Sequence, residues 1–398
     1  MADDRYPEKQ VCISGVGQSA VGRPADKSAL RLTVDACLQA IADAGLKIAD
    51  IDGLTTFPGP SGDAGGFSPV GATETMFALG LTPTWIGAST EGHAHMGAIF
   101  SAIQAIASGL CRHVLVFRTV AQATARAVAR DSTLMGGAAV PGQRARGGNA
   151  WTIPFNAVSA VNLYALYAQA YFHKYHATAE QLGAIAVNSR RMAYFNPNAI
   201  YRTPLTIDEY LESRVISSPL RLYDCDTHID GSTALLFSHR DAAKDLARPP
   251  ISIEAMGMSL GGIGIGLHRG DFTSLPSDLA GNMLWSRTDL KPSDVDVAQI
   301  YDGFSILTLL WMESLKLCGR GEAAAFVAGG SRIGLGGELP LNTSGGQLSA
   351  GRFHGYGHTY EACLQLWGRG GERQVADARV CAVSNGGFGY GALLLKRD

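Results

Sequence analysis

Two hydrophobic periods alternate along the chain. Residues 11–17 (VCISGVG) form a short apolar run ending in glycines, which reads as a buried strand. Residues 28–44 (SALRLTVDACLQAIADA) carry apolar positions at helical spacing and stop at Gly45. IDGLTTF at 51–57 predicts a second strand, and the Gly/Ser/Pro-rich residues 58–71 predict a loop whose composition suits a mobile cover. TWIGAS from Thr84 predicts a strand, Thr90 to Gly92 a turn, residues from about 93 to 108 a helix of small residues, and HVLVFR at 113–118 another strand. Alternating strands and helices predict an α/β fold.

Residues 121–150 are rich in Ala, Gly and Arg with little periodicity, which predicts an irregular insertion near a site. Residues 156–188 carry tyrosines and apolar residues at helical spacing and predict one or two helices whose aromatic stripe packs in a core or against a second subunit. Pro249 and Pro250 punctuate the chain, and ISIEAMGMS after them opens a second half with its own strand and helix pattern. The expected halves are 1–250, with a loop insertion at about 121–220, and 251–398. The second half carries a strand VAQI before YDGF, a helix from about Ile306 to Cys318, a glycine-rich stretch at 341–357, a helix from about His358 to Trp367, and a terminal hairpin.

With 398 residues the chain exceeds the size at which one core stops growing, in line with two core-bearing halves. Apolar residues make up 46% and charged residues 17%, a balance that excludes disorder and hints at an oligomer. The net charge of −2 gives no drive toward nucleic acid or an anionic membrane, and no stretch is long and apolar enough to span a bilayer. The seven cysteines are scattered without a CxxC pair or metal-ligand spacing, as expected of small buried hydrophobes in a reducing compartment. The opening MADDRYPEKQ is polar and acidic, unlike a secretory signal, so a cytoplasmic protein is expected.

Three clusters could carry chemistry. GRFHGYGHTYE (351–361) crowds His354, His358, Tyr356 and Tyr360 between glycines. That makes a poor core and a good site, because glycines admit a substrate to the backbone while His and Tyr move protons. His354 and His358 are four apart, a spacing that binds metal from a helix, but two glycines separate them, so no metal is expected there. Tyr301 and Asp302 of YDGF place a phenol and a carboxylate at a strand end, the usual location of an α/β active site. The third cluster, DCDTHIDG (224–231), looks metal-like but is better read as a hydrogen-bonded turn. The glycine pairs Gly15/Gly17, Gly345/Gly346 and Gly386/Gly387 end apolar runs; none spells a nucleotide-binding loop.

Taken in order, PLRLYDCDTHIDGSTALL (219–236), YDGF (301–304), LNTSGGQLSAGR (341–352) and SNGGFG (384–389) resemble four segments of the thiolase superfamily, specifically its sterol-carrier-protein-2-type branch. The resemblance extends over nearly the whole chain and implies two similar halves in a layered α-β-α-β-α arrangement. It also exposes departures. The nucleophilic cysteine of true thiolases would fall near Ser89, the family histidine on Arg352, and the second cysteine on Ser384. A serine hydroxyl without an adjacent base is a weak nucleophile, so Claisen-type thiolysis is not expected.

The chain is similar to the lipid-transfer-protein-2-type steroid side-chain aldolases, thiolase-like proteins that release propionyl-CoA from a 17-hydroxylated steroid acyl-CoA. That resemblance implies a retro-aldol lyase in which Tyr301 and Tyr356 transfer protons, assisted by His354, His358 or Asp302. Backbone amides near Gly346 or Gly387 would hold the thioester oxyanion, with Ser89, Arg352 and Ser384 lining the substrate. No cofactor is implied beyond the coenzyme A that the substrate carries. The implied partners are a second copy in a homodimer and a separate DUF35-type subunit with an OB-fold and zinc ribbon. The competing readings are an acyl-CoA C-acyltransferase and a non-catalytic acyl-CoA or lipid-binding subunit. Arg144 and Arg146 are weak candidates for contacts to CoA phosphate.

Overall fold

The structure is a computed structural model that describes residues 5–60, 65–88, 94–128, 149–157, 159–260, 271–386 and 389–397. Its strands in chain order are β1 (Val11–Gln18), β2 (Gly53–Thr56), β3 (Trp85–Ala88), β4 (His113–Ala121), β5 (Val215–Ser217), β6 (Leu220–Arg221), β7 (Asp230–His239), β8 (Ile251–Ser259), β9 (Val297–Gln299), β10 (Val380–Asn385) and β11 (Tyr390–Arg397). The helices are α1 (Ala29–Asp43), α2 (Ala72–Leu79), α3 (Gly97–Ala107), α4 (Gln122–Val128), α5 (Asn149–Thr152), α6 (Ala160–Tyr175), α7 (Ala179–Tyr194), α8 (Ile207–Glu212), α9 (Ser277–Trp285), α10 (Ser305–Ser314), α11 (Ala323–Val327) and α12 (Tyr356–Leu366).

Nine strands form one mixed sheet in the order β3-β2-β4-β7-β1-β8-β11-β10-β9. The strands from residues 11–239 occupy one side and those from 251–397 the other, joined where β1 runs antiparallel to β8. Both faces are covered. Leu235 and Phe237 of β7 pack with α3 and α12, whereas Ala234 and Leu236 pack with α1. This two-residue alternation with apolar groups on both faces is why the strands read as continuous apolar runs. Helices α3 and α12 share one core with strands of both halves, α1 and α2 cover the outer face of the first half, and α9 and α10 cover that of the second. The glycines of β1 let α1 lie against it: a Cβ at Gly17 would sit 2.1 Å from the Ala36 carbonyl oxygen.

The aromatic stripe of α6 is core, with Tyr164, Tyr167 and Tyr171 all buried. One expectation is corrected. The segment read as irregular from residue 121 begins as the helix α4, and its first turn is capped by Asp230, 107 positions later, whose carboxylate accepts from the Ala123 and Thr124 amides. A cap contributed from so far along the chain leaves no local signal. The remainder of that insertion, 129–148, lies outside the described residues, as do Arg144 and Arg146.

The acids of DCDTHIDG are spent on protein partners. Asp224 accepts from the Tyr210 hydroxyl at 2.9 Å and the Arg221 amide at 2.7 Å, and Asp226 pairs with Arg352 at 3.0 Å. Burial pushes the Asp224 carboxyl up from 3.8 to about 6. The folded state therefore holds that proton more tightly than the unfolded chain. The stabilisation is full below about pH 4 and is lost as pH rises toward 6, an effect of about 3 kcal/mol. Asp224→Asn is thus expected to gain thermal stability relative to wild type at pH 7.5 but not at pH 4; equal differences in melting temperature at both pH values would contradict this.

Candidate active site

The site is assembled where β9, β10, α12 and the loop after β2 meet. Tyr301 and Asp302 follow β9. The peptide before them is held by Asn342, whose side chain accepts from the Ile300 amide at 2.7 Å and donates to the Ile300 carbonyl at 2.9 Å. The Tyr301 amide donates to Ser384 Oγ at 3.0 Å, so Ser384, fully buried at the end of β10, anchors Tyr301. Asp302 accepts from the Gln347 amide at 2.9 Å, and His358 Nε2 lies 3.0 Å from its Oδ1. Gly346 makes this possible: its φ is +56°, and a Cβ there would fall 2.0 Å from Asp302 Oδ2.

The entry into α12 sets the other wall. His354 has a φ of +53°, its carbonyl accepts from Asn385 Nδ2 at 2.8 Å, and Tyr356 opens the helix. The His354 ring stacks on His95 at 4.8 Å and meets Phe67 edge-on at 4.6 Å; His95 in turn stacks on Tyr301 at 6.2 Å. Arg118 Nη2 donates to His354 Nδ1 at 3.0 Å, which places the proton of the neutral imidazole on Nε2. Phenols, imidazoles and a guanidinium are thus gathered in one cluster. All are buried, with Tyr356 and Arg118 at 0% exposure.

Arg118 is the dominant charge. Its donors go to the Phe67 and Thr119 carbonyls and to His354, and its guanidinium lies over the Phe67 ring at 4.7 Å, with no carboxylate bonded to it among the described residues. Burial pulls it down to about 9. Burial and the Arg118 charge hold His95 down to about 3 and His354 well below the usual histidine range, so both imidazoles are neutral at working pH. Burial pushes the phenols of Tyr301 and Tyr356 up. Neighbours modulate both: the Asp226 and Asp302 charges raise Tyr301 further while Arg352 and the Gln347 side chain lower it, and the Arg118 charge lowers Tyr356 without cancelling its burial. Two buried polar atoms here, Tyr356 Oη and Arg118 Nε, have no partner among the described residues. Unpaired buried polar atoms of this kind call for an explanation, and a polar ligand is one.

The thiolase C-terminal domain-like family matches residues 267–393. The chain is 32% identical over 97% of its length to a steroid side-chain-cleaving aldolase of Thermomonospora curvata, with 97% of that protein covered. It is 32% identical to the 17-hydroxy-3-oxo-4-pregnene-20-carboxyl-CoA lyase of Mycobacterium tuberculosis, covering 97% of this chain and 99% of that one. The solved Ltp2-ChsH2(DUF35) aldolase superposes with a TM-score of 0.85 at 31% identity over 98% of each chain. The chain belongs to the thiolase superfamily.

No cysteine stands among the site residues described above. All seven cysteines are free, and burial pushes up the thiols of Cys37, Cys225, Cys363 and Cys381, that of Cys111 to about 11 and that of Cys318 to about 12. None of these six is a ready thiolate.

The structure brings Tyr301, Asp302, His354, Tyr356 and His358 together. It places Arg352 against Asp226 at 3.0 Å and Gln122 Oε1 at 2.9 Å, where its charge still reaches Tyr301. Ser89 and Gly387 lie outside the described residues. Sequence reasoning missed His95, Arg118 and Phe67. A signal existed for Arg118, a charge in the middle of an apolar strand, HVLVFRTVA, that is buried almost throughout. His95 and Phe67 sit in small-residue stretches with no pattern of their own.

Proposed function

We propose that the protein is a retro-aldol carbon-carbon lyase. It cleaves a β-hydroxyacyl-CoA, a steroid with a 17-hydroxyl and a 20-carboxyl thioester, into a 17-ketone and propionyl-CoA. The observation that carries this reading is the buried guanidinium of Arg118, which pairs with no carboxylate among the described residues and is flanked by two phenols and two neutral imidazoles. A cation in a dry site favours whichever state places negative charge beside it, and in this reaction that state is the thioester enolate.

The roles are assigned from the charges beside the two phenols. Tyr356 acts in its phenolate form, which the Arg118 charge favours against the opposing push of burial, and takes the proton of the tertiary hydroxyl. The C17–C20 bond breaks, its electron pair moves into the thioester as an enolate, and a ketone remains at C17. Tyr301, held protonated beside Asp226 and Asp302, then gives its proton to C20. The sequence is redox-neutral, so the reading calls for no cofactor beyond the coenzyme A of the substrate. His354 presents Nε2–H to the same wall, and His358 with Asp302 backs Tyr301.

The name of the similar solved structure supports a DUF35-type partner for this chain. A homodimer is supported by β3, which is an edge strand of the sheet, exposes Ile86, and adjoins an apolar groove of about 590 Å³ lined in part by Pro60, Phe77 and Ala88. An exposed apolar edge strand calls for a cover, and a second copy across a twofold axis provides one. Ile86→Asp is expected to convert a dimer to a monomer in sedimentation velocity; a wild-type chain that sediments as a monomer would contradict the dimer. Among the described residues no helix is long and apolar enough to cross a membrane.

The lyase reading is tested by incubating the chain, in complex with a DUF35-type subunit, with the 17-hydroxy steroid acyl-CoA and following ketone and propionyl-CoA. Stoichiometric release of both, with no mass added to the protein, is expected. A covalent acyl adduct would instead establish acyl transfer, and intact substrate would establish a binding role.

A further inference from the structure

A cavity of about 210 Å³ lies against the glycine-rich segment that carries Gly346 and Gln347, and its lining includes none of Phe67, His95, Arg118, Tyr301, His354 or Tyr356. It is lined instead by Gln18 at the end of β1, by Asn196 and Asn198 after α7, and by Ala350, and it reaches Gln347 and His358. Asn198 is exposed and donates to Gln18 Oε1 at 3.4 Å, marking the mouth. Gln347 and His358 are 1% and 2% exposed, and they link the cavity to the site: His358 Nε2 faces Asp302 Oδ1 at 3.0 Å and the Gln347 side chain hydrogen-bonds the Tyr301 phenol. The cavity exceeds by an order of magnitude the ~10–15 Å³ that one water requires, and a polar-lined space of that size takes up water.

The proposed mechanism, on which this inference rests, leaves an imbalance after each turnover. Tyr356 has gained a proton and Tyr301 has lost one, and a phenolate at Tyr301 beside Asp226 and Asp302 cannot persist. We propose that this cavity is the solvent port that returns a proton to Tyr301, with His358 as the relay and Gln347 orienting the water between them. The geometry fits the task. The His358 ring is 6.4 Å from that of Tyr301, its Nε2 is backed by Asp302 at 3.0 Å, and the Gln347 carboxamide lies close enough to the phenol to favour its ionised form. The proton moves from cavity water to His358 and on to the Tyr301 oxygen, while Tyr356 releases its proton to solvent from the substrate side, so each turnover balances.

The test is to plug the port at two places remote from the reacting atoms, with Ala350→Leu inside and Asn198→Trp at the mouth, in the full chain with its DUF35-type partner. Rapid-quench measurements should show a first turnover close to the wild-type rate, with one product per site. The steady-state rate should then be slower by about tenfold or more and carry a larger solvent deuterium isotope effect. Folding is checked by thermal denaturation, and Asn198→Trp, being at the surface, stands if Ala350→Leu is destabilised. Unchanged steady-state rates in the folded variants, or a first turnover that slows in step with the steady state, would overturn the port. Failure of the wild-type complex to cleave substrate at all would instead overturn the lyase reading.

Discussion

Tyr356→Phe is expected to lower kcat by about 10²- to 10⁴-fold, the range associated with loss of a proton-transferring group. Its melting temperature should stay level or rise. Both halves of this result come from one atom. The Tyr356 hydroxyl is fully buried and without a partner among the described residues, so the folded protein pays its desolvation with no hydrogen bond in return. Removing such a group while keeping the ring relieves about 1–3 kcal/mol. Tyr301→Phe should lose activity on the same scale, by removing the proton that quenches the enolate. The two variants separate in a single-turnover experiment with product quenched at intervals: Tyr356→Phe blocks bond cleavage, whereas Tyr301→Phe releases ketone and stalls before the shorter acyl-CoA. Near-wild-type kcat in either variant would sink the assignment of that phenol, and a fall in melting temperature of Tyr356→Phe would mean that its hydroxyl is structural.

The second large effect is expected at Arg118. Arg118→Met keeps the bulk of the stem and removes the charge, and kcat should fall about 10²- to 10³-fold, equivalent to about 3–4 kcal/mol of lost transition-state stabilisation. KM should change far less, because the neutral thioester of the ground state gains little from the cation. Stability should change little as well: among the described residues the guanidinium has no carboxylate to leave behind, and relief from burying a charge offsets the loss of its bonds to Phe67, Thr119 and His354. A direct physical readout accompanies the kinetics. Burial first and the Arg118 charge second depress His95, now at about 3, and His354, so removing the charge should raise both imidazoles part of the way toward the ordinary histidine range, visible in a pH titration followed by NMR. Unmoved histidines together with unchanged kcat would remove Arg118 from the site.

How much of this was legible in the sequence can be traced residue by residue. YDGF and GRFHGYGHTYE were visible as chemistry because titratable side chains sat among glycines at the ends of apolar runs, and the structure brings these two segments to one wall. The superfamily was legible because four short segments recur in a fixed order, and neither strand pairing nor burial was needed to see them. Helix α4 was missed because its cap, Asp230, arrives from β7. Ser384 reads as a lost nucleophile in sequence, but its hydroxyl holds the Tyr301 amide in the structure.

Periodicity and residue type, both local properties, determined the alternation of strands and helices, the buried character of β4, β7 and β11, and the stock of phenols, imidazoles and carboxylates from which a site could be built. The tertiary structure decided which of these lose water and which find partners. Arg118 and His354 are 236 residues apart and share a hydrogen bond, His95 is inserted between His354 and Tyr301, and Tyr356 is shut in beside a cation while Tyr301 is shut in beside two carboxylates. Two tyrosines that are chemically identical in the sequence acquire different neighbours, and proton affinity depends on desolvation and on charges a few ångströms away that only folding places.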